Sequence, residues 1–250
     1  ITLEISVLND LHVHHLFNIP FENLDIHYSN HISLDVDKIY NKIIVRGRGG
    51  FCYELNGLFF ELLKDLGFNA KRVSARVYNN STNNYGKEFD HLAIIVTIDQ
   101  KEYLVDIGFG KFVFKPLQFK LNKLQKDVNG NFLIEKYENE YFKVSKLVGD
   151  EKISEYIFTK KARDLNEFED MCHFHQTSSK SQFTQNRLIS KPSKNGQITI
   201  SGDNLKITKY DKIVFQKTIE NKIEFTKCLK KYFDINESEI IEVTNKSADR

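Results

Sequence analysis

"RGRGGFCYELNGLFFELL", Arg46–Leu63, passes from a glycine-rich approach straight into an apolar-striped run. Leu55, Leu58, Phe59, Leu62, Leu63 and Leu66 recur at helical spacing, and Gly67 fits the C-terminal cap. Cys52, one of only three cysteines, stands where that helix begins. A helix N-terminus offers free N–H groups and the positive end of the dipole, which favour a thiolate, and Arg46 and Arg48 add positive charge nearby. A small buried core residue is the bland alternative for any cysteine. The glycine-rich turn ahead of Cys52 favours the reactive one.

Outward from this stretch, the first third of the chain reads as helical. "SVLNDLHVHHLFN" is apolar at Val7, Leu8, Leu11 and Leu16, and Pro20 stops it. "SLDVDKIYNKIIV" offers Ser33 as an N-cap, with Val36, Ile39, Tyr40 and Ile43 on one face. From about residue 70 the period becomes two, in "KRVSARVY", "HLAIIVTID", "KEYLVDIGFG", "NFLIEKY", "YFKVSKLV" and "EYIFT". "QITISGDNLKITKY" is a late hairpin turning at "GDN", and "EFTKCLKKYFDI" returns to helix. Helices, then strands, then a mixed tail predict an α+β protein without the alternation of a parallel sheet.

Composition narrows the function. The chain has 250 residues, 40% of them hydrophobic and 28% charged, enough for a well-buried core. A net charge of +2 demands neither nucleic acid nor an anionic membrane as partner. No apolar run reaches about 18 residues. The start, "ITLEISVLND", lacks the pattern of a signal peptide and an initiator Met, and predicts that a short leading segment is missing. Cys52, Cys172 and Cys228 are few, odd in number and widely spaced, which points to a reducing, cytoplasmic setting.

A nucleophilic thiol needs a base, and the base needs an orienting group. His91 opens the strand "HLAIIVTI", and Asp106 closes the partner strand in "YLVDIGFG". A turn at Asp99 and Gln100 sets Asp106 opposite the region of Ala93 and brings His91 and Asp106 to one edge of the hairpin. Cys52, His91 and Asp106 thus form a candidate thiol triad. Other clusters are blander. In "HVHH" only His12 and His15 share a helix face, and nothing completes a metal site there or at "CHFH", Cys172–His175. No metal is expected. "RGRGG" lacks the Gly-Lys-Ser/Thr ending of a phosphate loop.

"IPFENLDIH" at Ile19–His27, "RGRGGFCYELNGLF" at Arg46–Phe59, the His91 strand and "VDIGFG" at Val105–Gly110 resemble, in order and spacing, the arylamine N-acetyltransferases. "EFEDMCHFHQTSSKSQF" is similar to the family's segment around its coenzyme A site, and "ITISGDNLKIT" to the hairpin of its lid. The resemblance covers essentially the whole chain. It implies a helical bundle over 1–68 carrying the nucleophile, a central antiparallel barrel-like domain over 69–176 carrying His91 and Asp106, and an α/β lid over 177–250, around a papain- or transglutaminase-like thiol-triad core. Cys52 would be the acetyl-accepting nucleophile, His91 its base and Asp106 the orienting acid. Phe21, Phe109 and Val77 would line the acyl and amine pocket. Glu22 and Arg48 would form a buried ion pair bracing the catalytic loop.

Phe174, Ser178 and Lys180 would touch coenzyme A. The implied reaction is acetyl transfer from acetyl-coenzyme A to an aromatic amine or hydrazine, by a monomer or weak homodimer serving xenobiotic metabolism. A cysteine amidase or protease-like hydrolase and an inactive ligand-binding relative are the alternatives.

Overall fold

The computed structural model describes residues 2–210 and 212–241, and its helices and sheets give the mixed α+β class expected. Two compact units partition the chain. The first takes residues 1–15 and 52–171, the second residues 16–51 and 172–250.

In the first unit, the opening turns of α1 (Ile5–Asn18) and all of α4 (Cys52–Asp65) accompany a large antiparallel sheet. Its strands are β2 (Asn69–Asn79), β3 (Asn84–Tyr85), β4 (His91–Ile98), β5 (Lys101–Val105), β6 (Leu117–Gln118), β7 (Gln125–Asp127), β8 (Gly130–Lys136), β9 (Phe142–Val148) and β10 (Glu151–Phe158). The order β6-β5-β4-β2-β10-β9-β8-β7 curls until the ends approach, and the Gln118 and Gln125 amides bridge the gap. Asp99 and Gln100 both have positive φ, +47° and +62°, the signature of a type I′ hairpin turn. That turn fixes the expected register, with Ile98 opposite Lys101 and Ile94 opposite Val105. Asp106 therefore leaves β5 at the end where β4 begins with His91.

Alternation then sorts the side chains. Val73, Ala75, Ala93, Ile95, Phe132, Ile134, Val144, Tyr156 and Phe158 face one way and fill the barrel-like interior. On the other face, α4 packs against β2 and β4 with Leu55, Phe59 and Leu63 buried, while Leu62 is exposed.

The second unit holds β1 (Phe21–Glu22), α2 (Leu24–His27), α3 (Val36–Tyr40), α6 (Gln182–Gln185) and α7 (Lys222–Phe233), together with α5 (Glu169–Thr177) from Cys172 onward. Its sheet adds β11 (Leu188–Ser193), β12 (Gly196–Ser201), β13 (Asn204–Lys209) and β14 (Lys212–Thr218) to β1. The β12–β13 hairpin turns at Gly202 and Asp203, inside the "GDN" expected. Asp35, not Ser33, caps α3, its carboxylate accepting from Lys38 N at 3.0 Å. The helix then widens into a π turn over Asn41–Val45. Tyr40 ends up exposed, and Lys42 is buried in its stead.

Candidate active site

Cys52 is the first residue of α4, and its neighbours along that helix build the site around it. The Tyr53 hydroxyl donates to the carbonyls of Phe89 at 2.7 Å and Asp90 at 3.1 Å, pinning the loop that delivers His91. One turn beyond Cys52, the Asn56 amide donates to Leu92 O at 2.7 Å and Asp106 Oδ1 at 2.9 Å, and accepts from Ile107 N at 3.0 Å. A single side chain thus ties the nucleophile's helix to both strand ends. Gly108 allows the approach, since a Cβ there would lie 2.8 Å from Cys52 Cα and from Asn56 Nδ2. Any other residue would push the Asp106 loop off α4.

The three expected groups meet. His91 Nε2 donates to Asp106 Oδ2 at 2.7 Å, and a hydrogen bond with Cys52 engages the imidazole as well. With Nε2 committed to the carboxylate, Nδ1 is the nitrogen left for sulfur. Cys52, His91 and Asp106 are all buried. Burial by itself would discharge His91, but the Asp106 carboxylate outweighs it, and the imidazole is pushed up to about 10. Asp106 Oδ1 accepts a further bond from Gly108 N at 3.0 Å, so His91, Asn56 and Gly108 all donate to this carboxylate.

Aromatic rings enclose the imidazole. Phe109 lies 5.1 Å from it and Tyr156 5.5 Å, centroid to centroid. Val77 is directly opposite Tyr156 on β2, so its side chain shares the interior face. The Tyr156 hydroxyl is buried beside Asp106, and burial together with that carboxylate's charge raises its phenol well above the ordinary value. All three cysteines are free and buried, so accessibility does not separate Cys52 from Cys172 and Cys228. Its imidazole partner does. Cys172 Sγ instead meets the Gln176 amide, and Cys228 lies in an aliphatic and aromatic core.

The remaining expected residues belong to the second unit. Phe21 pairs with Ser190 across β1 and β11, 6.0 Å from the Phe183 ring. Arg48 reaches Glu22 Oε1 and Asp25 Oδ1, each at 2.7 Å, so the expected ion pair is present. It is larger than the sequence indicated, because Lys42 binds Asp25 Oδ2 at 2.7 Å. Burial opposes the Asp25 charge, but Lys42 and Arg48 hold its carboxyl far below the usual range. Gly49 is obligatory beside this cluster, since a Cβ would strike Pro20 O at 2.0 Å. Phe174 and Ser178 are half-buried at the end of α5 and just after it, and Lys180 is exposed.

Asn56, Tyr156, Asp25 and Lys42 were not foreseen. Asn56 left a usable trace, as a polar residue four positions after Cys52 on an otherwise apolar helix face. Tyr156 and Lys42 left none, because a β-bulge turned Tyr156 inward and Lys42 is a cation on a buried helix face.

A mixed helix–sheet protein in which a helix-start thiol, a strand-start imidazole and a strand-end carboxylate meet is of the thiol-triad class. A family model described as N-acetyltransferase matches residues 4–240. The human arylamine N-acetyltransferase 1 is 31% identical, over 94% of this chain and 88% of its own. The arylamine N-acetyltransferase of Mycobacterium marinum, solved in complex with CoA, superposes with a TM-score of 0.87 at 25% identity, covering 98% of this chain and 92% of the other. One from Bacillus cereus, described with a Cys-His-Glu catalytic triad, gives a TM-score of 0.86 at 27% identity over 94% and 92%. The chain belongs to the arylamine N-acetyltransferase family of acyltransferase enzymes. In this chain the carboxylate that meets His91 is that of Asp106.

Proposed function

We propose that the protein transfers an acetyl group from acetyl-coenzyme A to an aromatic amine or hydrazine through an acetyl-Cys52 intermediate. The observation that carries this reading is the buried Cys52–His91–Asp106 chain, with the imidazole hydrogen-bonded to its carboxylate at 2.7 Å. His91 takes the Cys52 proton and stands as imidazolium beside the thiolate. Sulfur attacks the thioester carbonyl, an S–C bond forms, the C–S bond to coenzyme A breaks, and the departing thiolate takes the proton from His91 and leaves as the thiol. The amine nitrogen then attacks acetyl-Cys52, His91 accepts its proton, and the thiol is regenerated. In this reading the oxyanion is met by backbone N–H groups near Cys52. Phe109, Val77 and Phe21 offer flat apolar surface for an aromatic amine.

Coenzyme A suits Phe174, Ser178 and Lys180 on chemical grounds. Lys180 is exposed and in no ion pair with a described residue, so it is a cation available to a phosphate. Ser178 Oγ already accepts from Lys180 N at 3.2 Å, which holds the two side by side. Among the described residues no helix is long and apolar enough to cross a membrane. A monomer or weak homodimer in the cytoplasm is the setting this reading carries.

The test is mass spectrometry followed by kinetics. Acetyl-coenzyme A alone should add one acetyl group, on Cys52 and on neither other cysteine, and donor and amine should give parallel double-reciprocal lines. Intersecting lines without an adduct would show direct transfer in a ternary complex and overturn the covalent step.

A further inference from the structure

The interior face of the large sheet can be followed in rows from the triad outward. Ala75 is opposite His91 on one side and Phe158 on the other. The next row holds Val77, Tyr156, Val144 and Ile134. Beyond it, toward the same end of the barrel, come Lys146 and Phe132, paired across β9 and β8. The Lys146 amine lies 5.7 Å from the Phe132 centroid. Phe132 in turn touches Phe112, which touches Phe109, so a chain of packed rings runs from beside the imidazole to this last row.

β10 breaks its alternation at this level. Ser154 pairs with Ser145 and Tyr156 with Val144, a register shift that leaves Glu155 as the extra residue. Ser154 Oγ accepts from the Tyr85 hydroxyl at 3.3 Å on the outer face, whereas Tyr156 faces inward. Bulges of this kind turn a side chain out of the pleat and are common beside active sites. Glu155 is half-buried, its carboxylate makes no hydrogen bond or ion pair with a described residue, and its charged neighbour is Lys146. Burial pushes that carboxyl up, with Lys146 opposing. Three strand steps, roughly 10 Å, separate its level from that of His91.

We propose that Glu155 is a specificity-determining residue of the amine subsite, selecting aromatic amines whose far end carries a cation or hydrogen-bond donor over those ending in a carboxylate. The inference rests on the reading that the chain acetylates aromatic amines. An amine attacking acetyl-Cys52 lays its ring along Phe109 and Tyr156 and brings a remote substituent to the bulge. A cationic substituent there gains the Glu155 charge, and an anionic one meets repulsion that Lys146 only partly offsets.

The test compares kcat/KM for 4-(dimethylaminomethyl)aniline and 4-aminobenzoate, with acetyl-coenzyme A saturating. Glu155→Gln should lower the cation-to-carboxylate ratio about three- to tenfold, as suits one partly solvated charge. Glu155→Lys should lower it further, and Lys146→Met should raise it. High salt should compress all of these differences. A ratio within about twofold of wild type in every variant overturns the proposal while leaving acetyl transfer standing. A wild-type protein that forms no acetyl-enzyme, or passes acetyl to neither amine, overturns the underlying reading and this inference with it. If Glu155→Gln fails to fold, the Lys146→Met arm still decides the sign.

Discussion

Two places in the first unit bury imidazoles, and they have opposite electrical fates. His91 has the Asp106 carboxylate at 2.7 Å and is pushed up to about 10. His12 and His15 share one face of α1 and edge against Phe59, at 6.5 and 5.5 Å. His12 Nδ1 donates to Phe114 O at 3.0 Å, but its Nε2 and both nitrogens of His15 are sealed from solvent without a partner. Burial lowers His12 to about 4 against the pull of the Asp106 charge, and burial together with His12 lowers His15 to about 3. Burial alone therefore silences an imidazole, and a carboxylate in contact makes it a charged partner for a thiol. The difference separates a packing histidine from a candidate base.

The most severe way to break that comparison is to remove the carboxylate. Asp106→Asn keeps the size but loses the charge, so His91 should come to resemble His12 and be neutral at pH 7. Cys52 acetylation by acetyl-coenzyme A should then fall on the order of 10³-fold or more. Rapid-quench mass spectrometry measures it, with circular dichroism and melting confirming the fold. A folded variant acetylating at the wild-type rate would remove Asp106 from the triad.

Stability against pH should show the two fates with opposite signs. His12 and His15 have folded values below the ordinary 6.5, so the unfolded chain binds more protons and stability falls as pH drops below about 6.5. At pH 4.5 each costs roughly 3 kcal/mol. His91 has a folded value above 6.5, so its contribution is complete below that pH and is lost as pH rises through about 10. Melting temperatures from pH 4 to 10 test both flanks. His15→Leu, which removes two unpartnered nitrogens, should soften the acid flank and stabilise the neutral protein by about 1 kcal/mol. An unchanged acid flank in that variant would show that His15 is not held neutral.

Much of this site was legible in the sequence because it depends on periods and ends. Helical spacing placed Cys52 at the start of α4, and the Asp99–Gln100 turn fixed a register that brought His91 and Asp106 to one edge. The ion pair of Glu22 and Arg48 came from resemblance, not from any period. What escaped reading are features that break a period or defy residue type. On α3 and the π turn after it, the cation Lys42 joins Ile39 and Ile43 on the buried face while the apolar Tyr40 is exposed, so residue type misled there. The bulge on β10 decided where Tyr156 and Glu155 face. The units, too, are each assembled from separated stretches, which a reading along the chain does not reveal.

The mildest prediction sharpens the comparison within "HVHH" itself. His14 lies between the silent pair in sequence, but α1 turns it to the solvent side, where its Nδ1 donates to Asp10 O at 2.7 Å. A hydrogen bond made at the surface competes with water and contributes little. His14→Gln should therefore change stability by no more than about 0.5 kcal/mol at neutral pH. It should also leave the acid flank of the melting curve where the wild type has it, because the substitution leaves the buried pair His12 and His15 in place. His15→Leu, one residue along, should move that flank. If His14→Gln moved it as much, the acid sensitivity would belong to the helix as a whole, and the contrast drawn between silenced and partnered imidazoles would lose its basis in burial.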